Sequence, residues 1–136
     1  MSDFMQQTIT EFRANHGKVG GYFTGAPLLL LHSIGAKTGT EHVTPMMYRK
    51  DGDRYLVFAS KGGADTNPGW YHNLRAHPQA TIEVGDETIE VSATVLGREE
   101  RDVMYAAHAK DYPGFAEYEA KTKRVIPVIA LTPTQA

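Results

Sequence analysis

Apolar residues recur along the chain with two different periods, which separates predicted helices from predicted strands. Over residues 3–15 the apolar side chains recur every three or four positions, and this spacing predicts an amphipathic helix that covers the core or lies on a partner. The stretch Pro27–His32 is apolar on both faces, which is typical of a buried strand.

Two β-hairpins are predicted, each around a turn whose residues tolerate a positive φ angle. The strands and their turns are Val43–Arg49 and Tyr55–Ser60 across Asp51-Gly52, then Thr81–Val84 and Thr88–Val95 across Gly85-Asp86. Alternate positions of the second hairpin are apolar and predict one core-facing side, formed by Ile82, Val84, Ile89, Val91, Ala93 and Val95.

Helical patterns fill most of the remaining sequence. Asn67 is expected to cap a short helix that has Pro68 at its first position and runs to about His77. The later elements have these expected limits: a helix after Gly97 up to Lys110, a break at Pro113-Gly114, a short helix to Lys123 and a strand at Val128–Leu131.

About six short strands joined mainly by tight turns, with helices at the ends and in one crossover, indicate an α+β fold. Its core is expected to be a small, partly closed antiparallel barrel. A doubly wound parallel sheet is disfavoured because it needs a helix after nearly every strand. Residues 1–136 are expected to form a single domain, in which residues 1–24 are the N-terminal helix and lead-in.

Composition and charge narrow the range of partners. Lys and Arg number 14 against 16 Asp and Glu, and the net charge of -2 disfavours nucleic-acid binding, which requires a basic face. The absence of cysteine removes thiolate chemistry and fits a reducing cytoplasm. No export signal is apparent, and no apolar run approaches the ~20 residues of a membrane helix. Peripheral membrane contact and the oligomeric state stay open.

Several standard catalytic sites are excluded by their spacing. The segment Gly35–Gly39 lacks the glycine spacing and the following helix of a Walker phosphate loop. The chain has no Gly-x-Ser-x-Gly elbow and no suitable pair of carboxylates. His72 and His77 are five residues apart on a predicted helix and so lie on different faces, which means that no metal site is expected.

Two glycine-bearing segments beside predicted strands carry the remaining candidate chemistry. In Ser60–Gly63, glycines permit close approach of a ligand, the following helix start offers free amides, and Lys61 adds a positive charge. The Gly35–Gly39 segment, with Lys37 and Thr38, follows the buried strand. Brought together by the fold, the two segments would form cationic walls suited to a phosphate or carboxylate group, whereas apart they would be ordinary turns.

Aromatic residues cluster at two places. Trp70 and Tyr71 at the start of the predicted short helix either pack in the core or form an aromatic wall. Tyr105, His108 and Tyr112 share one helical face, a spacing typical of packing against a sheet. Tyr112, Phe115 and Tyr118 recur every three residues across the Pro113-Gly114 break, and this interruption favours an aromatic rim over a pocket.

The order and spacing of these segments resemble the deazaflavin-dependent nitroreductase family from about Gly25 to Pro133. The specific part runs from Ser60-Lys61-Gly62-Gly63 to Asn67-Pro68-Gly69-Trp70-Tyr71-His72-Asn73-Leu74, after Gly35-Ala36-Lys37-Thr38-Gly39 and Asp51-Gly52-Asp53. The resemblance implies a split β-barrel like that of FMN-binding oxidoreductases. It also implies coenzyme F-420, a deazaflavin, and hydride transfer from its reduced form to quinones or nitro compounds.

The resemblance also assigns roles to individual residues. The phosphate-bearing tail would be held by Lys37 and Thr38, in a segment that includes Gly39 and His42. The residues expected to line the deazaflavin are Pro45, Met47, Ser60, Lys61, Gly62, Pro68 and Trp70. The candidate catalytic residues, which would face the acceptor, are Tyr112, Phe115 and Tyr118. Family members commonly carry arginine where this chain has Ala36 and His42, and often tyrosine where it has Phe115.

A cofactor that transfers hydride itself would explain why the chain offers no nucleophile and no acid–base pair. Two other interpretations stay open. One is an FMN-dependent oxidoreductase with a similar barrel, and the other is a non-catalytic carrier of the deazaflavin.

Overall fold

The computed structural model describes residues 3–20 and 27–134 of the chain. Within these residues the helices are α1 (Asp3–Ala14), α2 (Gly69–Ala76), α3 (Arg98–Asp111) and α4 (Gly114–Ala120). The strands are β1 (Leu28–Ile34), β2 (Glu41–Met47), β3 (Arg49–Asp51), β4 (Arg54–Phe58), β5 (Gln79–Val84), β6 (Glu87–Val95) and β7 (Val128–Pro133). No helix in these two ranges is long and apolar enough to cross a membrane.

The seven strands form one antiparallel sheet in the order β2-β1-β5-β6-β7-β4-β3. Strands β2 and β3 lie at opposite edges, yet Tyr48 alone separates them in the chain. The sheet therefore curls until its edges meet. Tyr48 spans this seam, since its N–H donates to the Pro27 carbonyl at 3.1 Å and its ring meets the Tyr55 ring of β4 edge-on, with centroids 5.4 Å apart. The predicted α+β class with a small antiparallel split barrel is confirmed.

The expectation of about six strands differs from the structure at the first predicted hairpin. Residues Val43–Arg49 do not form one strand, because the chain leaves the β1 edge at Tyr48 and joins the β4 edge. Residues before Tyr48 pair with β1, and Arg49 to Asp51 pair with β4. Alternation of side chains along a strand is local, whereas a change of pairing partner depends on how the whole sheet curls.

The barrel interior is filled by side chains from β1, β4, β5, β6 and β7, and α2 closes it. From β1, Leu29 and Leu31 point inward, and from α2 Tyr71 and Leu74 join them. Leu28 and Leu30 point outward and pack against Ile9 and Phe12 of α1. Strand β1 is therefore buried on both faces, as its sequence predicts.

A second outer layer covers β4 and β7. Helix α3 and the segment around α4 pack on a cluster formed by Leu56, Phe58, Leu96, Tyr105, Ile126, Val128 and Ala130. In the hairpin of β5 and β6, the predicted inward residues lie against the interior except Val95. Val95 is 43% exposed because it is the last residue of β6, at the rim of the barrel.

The start of α2 also differs from its prediction. Pro68, in an extended conformation, is the N-cap, and no side chain caps the helix. The Asn67 side-chain oxygen accepts a hydrogen bond from Arg124 at 2.7 Å instead, so it does not cap α2. The competing donor is 57 residues away in sequence, so the local pattern could not reveal it.

The seam predicts a specific stability effect. Tyr48→Ala should lower the free energy of unfolding by about 2 kcal/mol, because it removes a half-buried ring and its contact with Tyr55. Tyr48→Phe keeps the ring and should stay within about 0.5 kcal/mol of the parent protein. Urea unfolding of the three proteins measures both effects, and equal losses in the two variants would contradict a role for the ring.

Candidate active site

The loops that follow β1 and β4 lie at the same end of the barrel. Each neighbouring pair in the order β1-β5-β6-β7-β4 is antiparallel, so β1, β6 and β4 run in one direction. The C-terminal ends of β1 and β4 therefore lie at the same rim of the barrel. The two glycine-bearing segments singled out in the sequence begin at these strand ends.

The β1–β2 loop, residues 35–40, is a tight turn closed by its own backbone. The Gly35 N–H donates to the Thr40 carbonyl at 2.8 Å, and the Gly39 N–H donates to the Gly35 carbonyl at 3.0 Å. A Cβ atom at Gly35 would crowd the Thr38 hydroxyl and the His42 ring, so a larger residue would require these side chains to move. Lys37 and Thr38 are exposed at the tip of this turn.

Threonine hydroxyl groups form contacts along one side of the same turn. The Thr38 and Thr40 hydroxyls are 2.8 Å apart, and the ring of His42 reaches the Thr40 hydroxyl at 3.4 Å. Of the predicted tail-binding residues, Lys37, Thr38 and Gly39 therefore lie on one exposed turn, and His42 of β2 lies beside it.

Asn73 of α2 binds the β1–β2 loop and the end of β1. Its side-chain oxygen accepts a hydrogen bond from the Ala36 N–H at 2.9 Å, and its amide nitrogen donates to the Ser33 hydroxyl at 3.3 Å. Because α2 directly follows the β4–α2 loop, residues 59–68, these contacts fix the β1–β2 loop against the helix to which the β4–α2 loop leads. Asn73 belongs to the distinctive sequence motif, but the sequence offered no way to assign it a partner.

The β4–α2 loop contains three successive residues with positive φ. The angles are 47° at Lys61, 65° at Gly62 and 86° at Gly63. Such a conformation is costly for a side chain such as that of lysine, and it persists only where surrounding contacts impose it. The Lys61 ammonium donates to the Thr66 hydroxyl at 3.2 Å, and Ser60 before it is buried.

Arg124, which precedes β7, supplies the contacts that hold this loop. Its guanidinium donates to the carbonyls of Ala59, Ser60 and Ala64 and to the side chain of Asn67, over 2.7 to 3.1 Å. Sequence reasoning missed Arg124, because a lone arginine in a short polar segment is indistinguishable from a solvated one. Half-burial of this side chain lowers the pKa of its guanidinium.

Helix α4 lies against the same loop. A Cβ atom at Gly63 would be 2.9 Å from the Tyr118 carbonyl, so glycine allows the loop to touch α4. A Cβ at Gly62, by contrast, would meet no atom within 4 Å, so the turn presents an open face there. The predicted acceptor segment and the predicted coenzyme loop are therefore in direct contact.

The aromatic residues of α3 and α4 pack on one another. The Phe115 ring lies edge-on to the rings of Phe58 and Tyr118, with centroids 5.8 and 5.3 Å away. The Tyr105 hydroxyl donates to the Phe115 carbonyl at 2.6 Å, and burial raises the pKa of that hydroxyl to about 12. Tyr112, Phe115 and Tyr118 each keep part of their surface exposed, so this cluster is both a packing layer and a rim.

His108 lies at the centre of this cluster and is completely buried. Its ring stacks on Phe58 at a centroid distance of 4.0 Å and an angle of 10°, with Phe115 and Tyr112 on other sides. Neither ring nitrogen has a hydrogen-bond partner among the described residues. Burial, helped by the charge of Arg49, lowers the pKa of His108 to about 4, so the ring is neutral near pH 7.

The other predicted cofactor residues are more dispersed. Pro68 is buried at the start of α2, and Trp70 packs on the barrel interior while keeping part of its surface exposed. Pro45 and Met47 pair with Leu30 and Leu28, and Met47 packs on the cluster beneath α1.

Among the described residues, His, Asp and Glu side chains form no group of three that could hold a metal ion. The arrangement offers an open glycine turn with a lysine on each of two joined loops, next to an aromatic rim. This combination suits a planar ring with an anionic tail and a second flat molecule beside it.

Comparison with known proteins identifies similar sequences and folds. A family model described as F420H(2)-dependent quinone reductase matches residues 4–133. The F420H(2)-dependent quinone reductase of Mycobacterium tuberculosis is 39% identical over 125 residues, which cover 89% of this chain and 84% of that protein. A solved F420-H2 Dependent Reductase (FDR-A) is 34% identical, with a TM-score of 0.71, over 82% of this chain and 99% of its own. A solved domain-swapped dimer is 33% identical, with a TM-score of 0.72, over 93% and 92%.

The buried state of His108 predicts a pH effect on stability. The pKa of about 4 in the folded protein lies below the ordinary value of 6.5, so the unfolded chain binds more protons between these values. Lowering the pH from 6.5 to 4 should therefore reduce the free energy of unfolding by about 3 kcal/mol from this group.

The matched control is His108→Phe, which keeps an aromatic ring but cannot titrate. Denaturant unfolding of both proteins at a series of pH values cancels the contribution of every other group. A smaller pH slope in the variant is expected, and identical slopes would contradict the assignment.

Proposed function

Because the chain belongs to the F420H(2)-dependent quinone reductase family, we propose that it transfers a hydride from the reduced coenzyme F-420 to a quinone. The resemblance seen in the glycine and aromatic segments is thereby confirmed, and the acceptor named for the family is a quinone. The observation that carries the proposal is the joining of three parts at one rim. The Asn73 side chain ties the β1–β2 loop to α2, which directly follows the β4–α2 loop, and Gly63 touches α4.

The residues at this rim fit a deazaflavin with an anionic tail. Gly62 leaves open space where any other residue would present a side chain, so a flat ring can approach the backbone closely. Lys37 and Lys61 are exposed on the two joined loops and can pair with a phosphate or carboxylate of the tail. Ser60, Pro68 and Trp70 are proposed to border the ring, with Thr38, Gly39 and His42 beside the tail.

Pro45 and Met47 are proposed to complete the ring site from the β2 edge. Both residues lie on the side of β2 that α1 covers, so among the proposed ring-lining residues they reach the site least directly.

The protein's own part in the reaction is to bind, orient and exclude water. When bound, the reduced deazaflavin supplies the hydride. Tyr112, Phe115 and Tyr118 are proposed to hold a flat acceptor by stacking, since the rings of Phe115 and Tyr118 meet and the backbone of Tyr118 lies against Gly63 of the coenzyme loop. Reduction of a quinone also consumes a proton, which comes from solvent or from the hydroxyl of Tyr112 or Tyr118. His108 is neutral and enclosed, so it is assigned to packing of the rim.

Equilibrium titration with F-420 and, separately, with FMN tests the proposal most directly. Binding of F-420 should be seen as a change in its fluorescence, followed by quinone-dependent oxidation of the reduced coenzyme. Tight binding of FMN in its place would indicate a flavin enzyme. Binding of F-420 without turnover across quinones and nitroaromatics would indicate a carrier.

Lys37 and Lys61 provide the first test by mutation. Replacing either with Ala should weaken F-420 binding by about 1–3 kcal/mol, the scale of a lost charge-assisted hydrogen bond, without unfolding the protein. Lys18→Ala, at an exposed position after α1, is the control and should leave the affinity unchanged. Wild-type affinity in both loop variants at moderate salt would remove the tail site.

A substitution at Phe115 tests which acceptors the protein reduces. This test extends the proposal from quinones to nitro compounds. A hydroxyl at this position could donate to a nitro oxygen, and its absence costs about 1–3 kcal/mol when that oxygen is buried. Phe115→Tyr should therefore raise kcat/KM for nitro substrates and leave F-420 affinity nearly unchanged. Because Phe115 also packs on Phe58 and His108, the melting temperature is measured on the same variant. A lower Tm with no gain on any nitro substrate would assign Phe115 to packing alone.

A further inference from the structure

Arg124 ties the beginning of the β4–α2 loop to its end. Its Nη2 donates to the carbonyls of Ala59 and Ser60, at 3.1 and 2.9 Å, where the loop leaves β4. Its Nε donates to the Ala64 carbonyl at 2.8 Å, and its Nη1 to the Asn67 oxygen at 2.7 Å, just before α2. All three guanidinium nitrogens of Arg124 donate hydrogen bonds, and the acceptors lie before and after the left-handed turn.

The turn between these anchors needs such a restraint. Lys61 has a φ of 47°, although a non-glycine residue rarely occupies that region. A second tie, from the Thr122 hydroxyl to the Asp65 carboxylate at 2.9 Å, reaches the loop from the same segment of chain.

The same segment also carries the acceptor rim. Arg124 follows α4 by only a few residues, and α4 contacts the loop at Gly63. Arg124 therefore restrains the coenzyme loop relative to the segment that carries Phe115 and Tyr118.

We propose that Arg124 is a positioning residue for this enzyme, which sets the shape of the coenzyme loop and its distance from the aromatic rim. The inference rests on the proposed function. Arg124 acts through the backbone that it holds and is assigned no contact with coenzyme or acceptor.

Lysine cannot replace arginine in this role. An ammonium group has three donors on one nitrogen, whereas the four acceptors here are spread over the planar fork of a guanidinium. Arg124→Lys keeps the charge and should still raise the Kd for F-420 about tenfold or more, because small displacements of positioning groups have large effects. The KM for the coenzyme should rise in parallel, with a smaller change in kcat at saturation.

Arg101 of α3 offers a matched control. Its Nε donates to the Ile126 carbonyl in the connection between α4 and β7 at 2.9 Å, and its Nη2 donates to Glu119 of α4 at 2.8 Å. None of its hydrogen bonds reaches the β4–α2 loop. Arg101→Lys should lower Tm at least as much as Arg124→Lys does, but leave the F-420 Kd within about twofold, since it disturbs packing only. Equal affinities in the two lysine variants would overturn the proposal.

Amide hydrogen exchange separates this proposal from the proposed function. The N–H groups of Gly63 and Ala64 donate within the loop, and their exchange should accelerate in Arg124→Lys but not in Arg101→Lys. This result is read without coenzyme. Failure of the wild-type protein to bind F-420 would reject the proposed function, while unchanged exchange in Arg124→Lys would reject the restraint.

Asn67→Ala is the second variant, for use if Arg124→Lys does not fold. It removes one of the four acceptors and should weaken F-420 binding about threefold or more, since one end of the loop is released. Wild-type affinity and wild-type loop exchange in Asn67→Ala would overturn the proposal by themselves.

Discussion

The covalent connection of the two sheet edges through Tyr48 is the constraint from which the other features of the fold follow. An open seven-stranded sheet could twist without closing, but here the residues on each side of Tyr48 pair with opposite edges. The sheet must curl, and its inner face becomes a closed core. Because the strands between β1 and β4 alternate in direction, closure also brings the loops after β1 and β4 to one rim.

Polar contacts between residues that are far apart in the sequence then fix the shape of the rim. Asn73 joins the loop after β1 to helix α2, and Arg124 holds the loop after β4 in a left-handed turn. Hydrogen bonds from buried or half-buried donors are costly to lose, since the acceptors would be left without partners. The two contacts keep an otherwise irregular surface in one shape, as the proposed coenzyme site requires.

In this member of the F420H(2)-dependent quinone reductase family, the roles of cofactor and protein agree with the amino-acid composition of the chain. A cofactor that carries the hydride leaves the protein with binding and orientation, so a chain with no cysteine can serve as a reductase. The aromatic layer of α3 and α4 has two tasks. One side packs around the neutral, buried ring of His108, and the other remains exposed as the rim.

The sequence by itself determined the local elements and the kind of chemistry. The spacing of hydrophobic residues predicted α1 and the doubly buried β1, and the turn-forming residues predicted both hairpin turns. Both signals depend on neighbours in the chain. The glycine, lysine and aromatic motifs identified the family for the same reason.

Only the tertiary structure decided that Val43–Arg49 divides at Tyr48 and that Asn67 accepts a hydrogen bond from Arg124 instead of capping α2. It also decided that His108 is buried with no hydrogen-bond partner for its ring nitrogens among the described residues. Each of these depends on groups tens of residues apart. Their meeting is set by the curl of the sheet, which no local pattern of residues records.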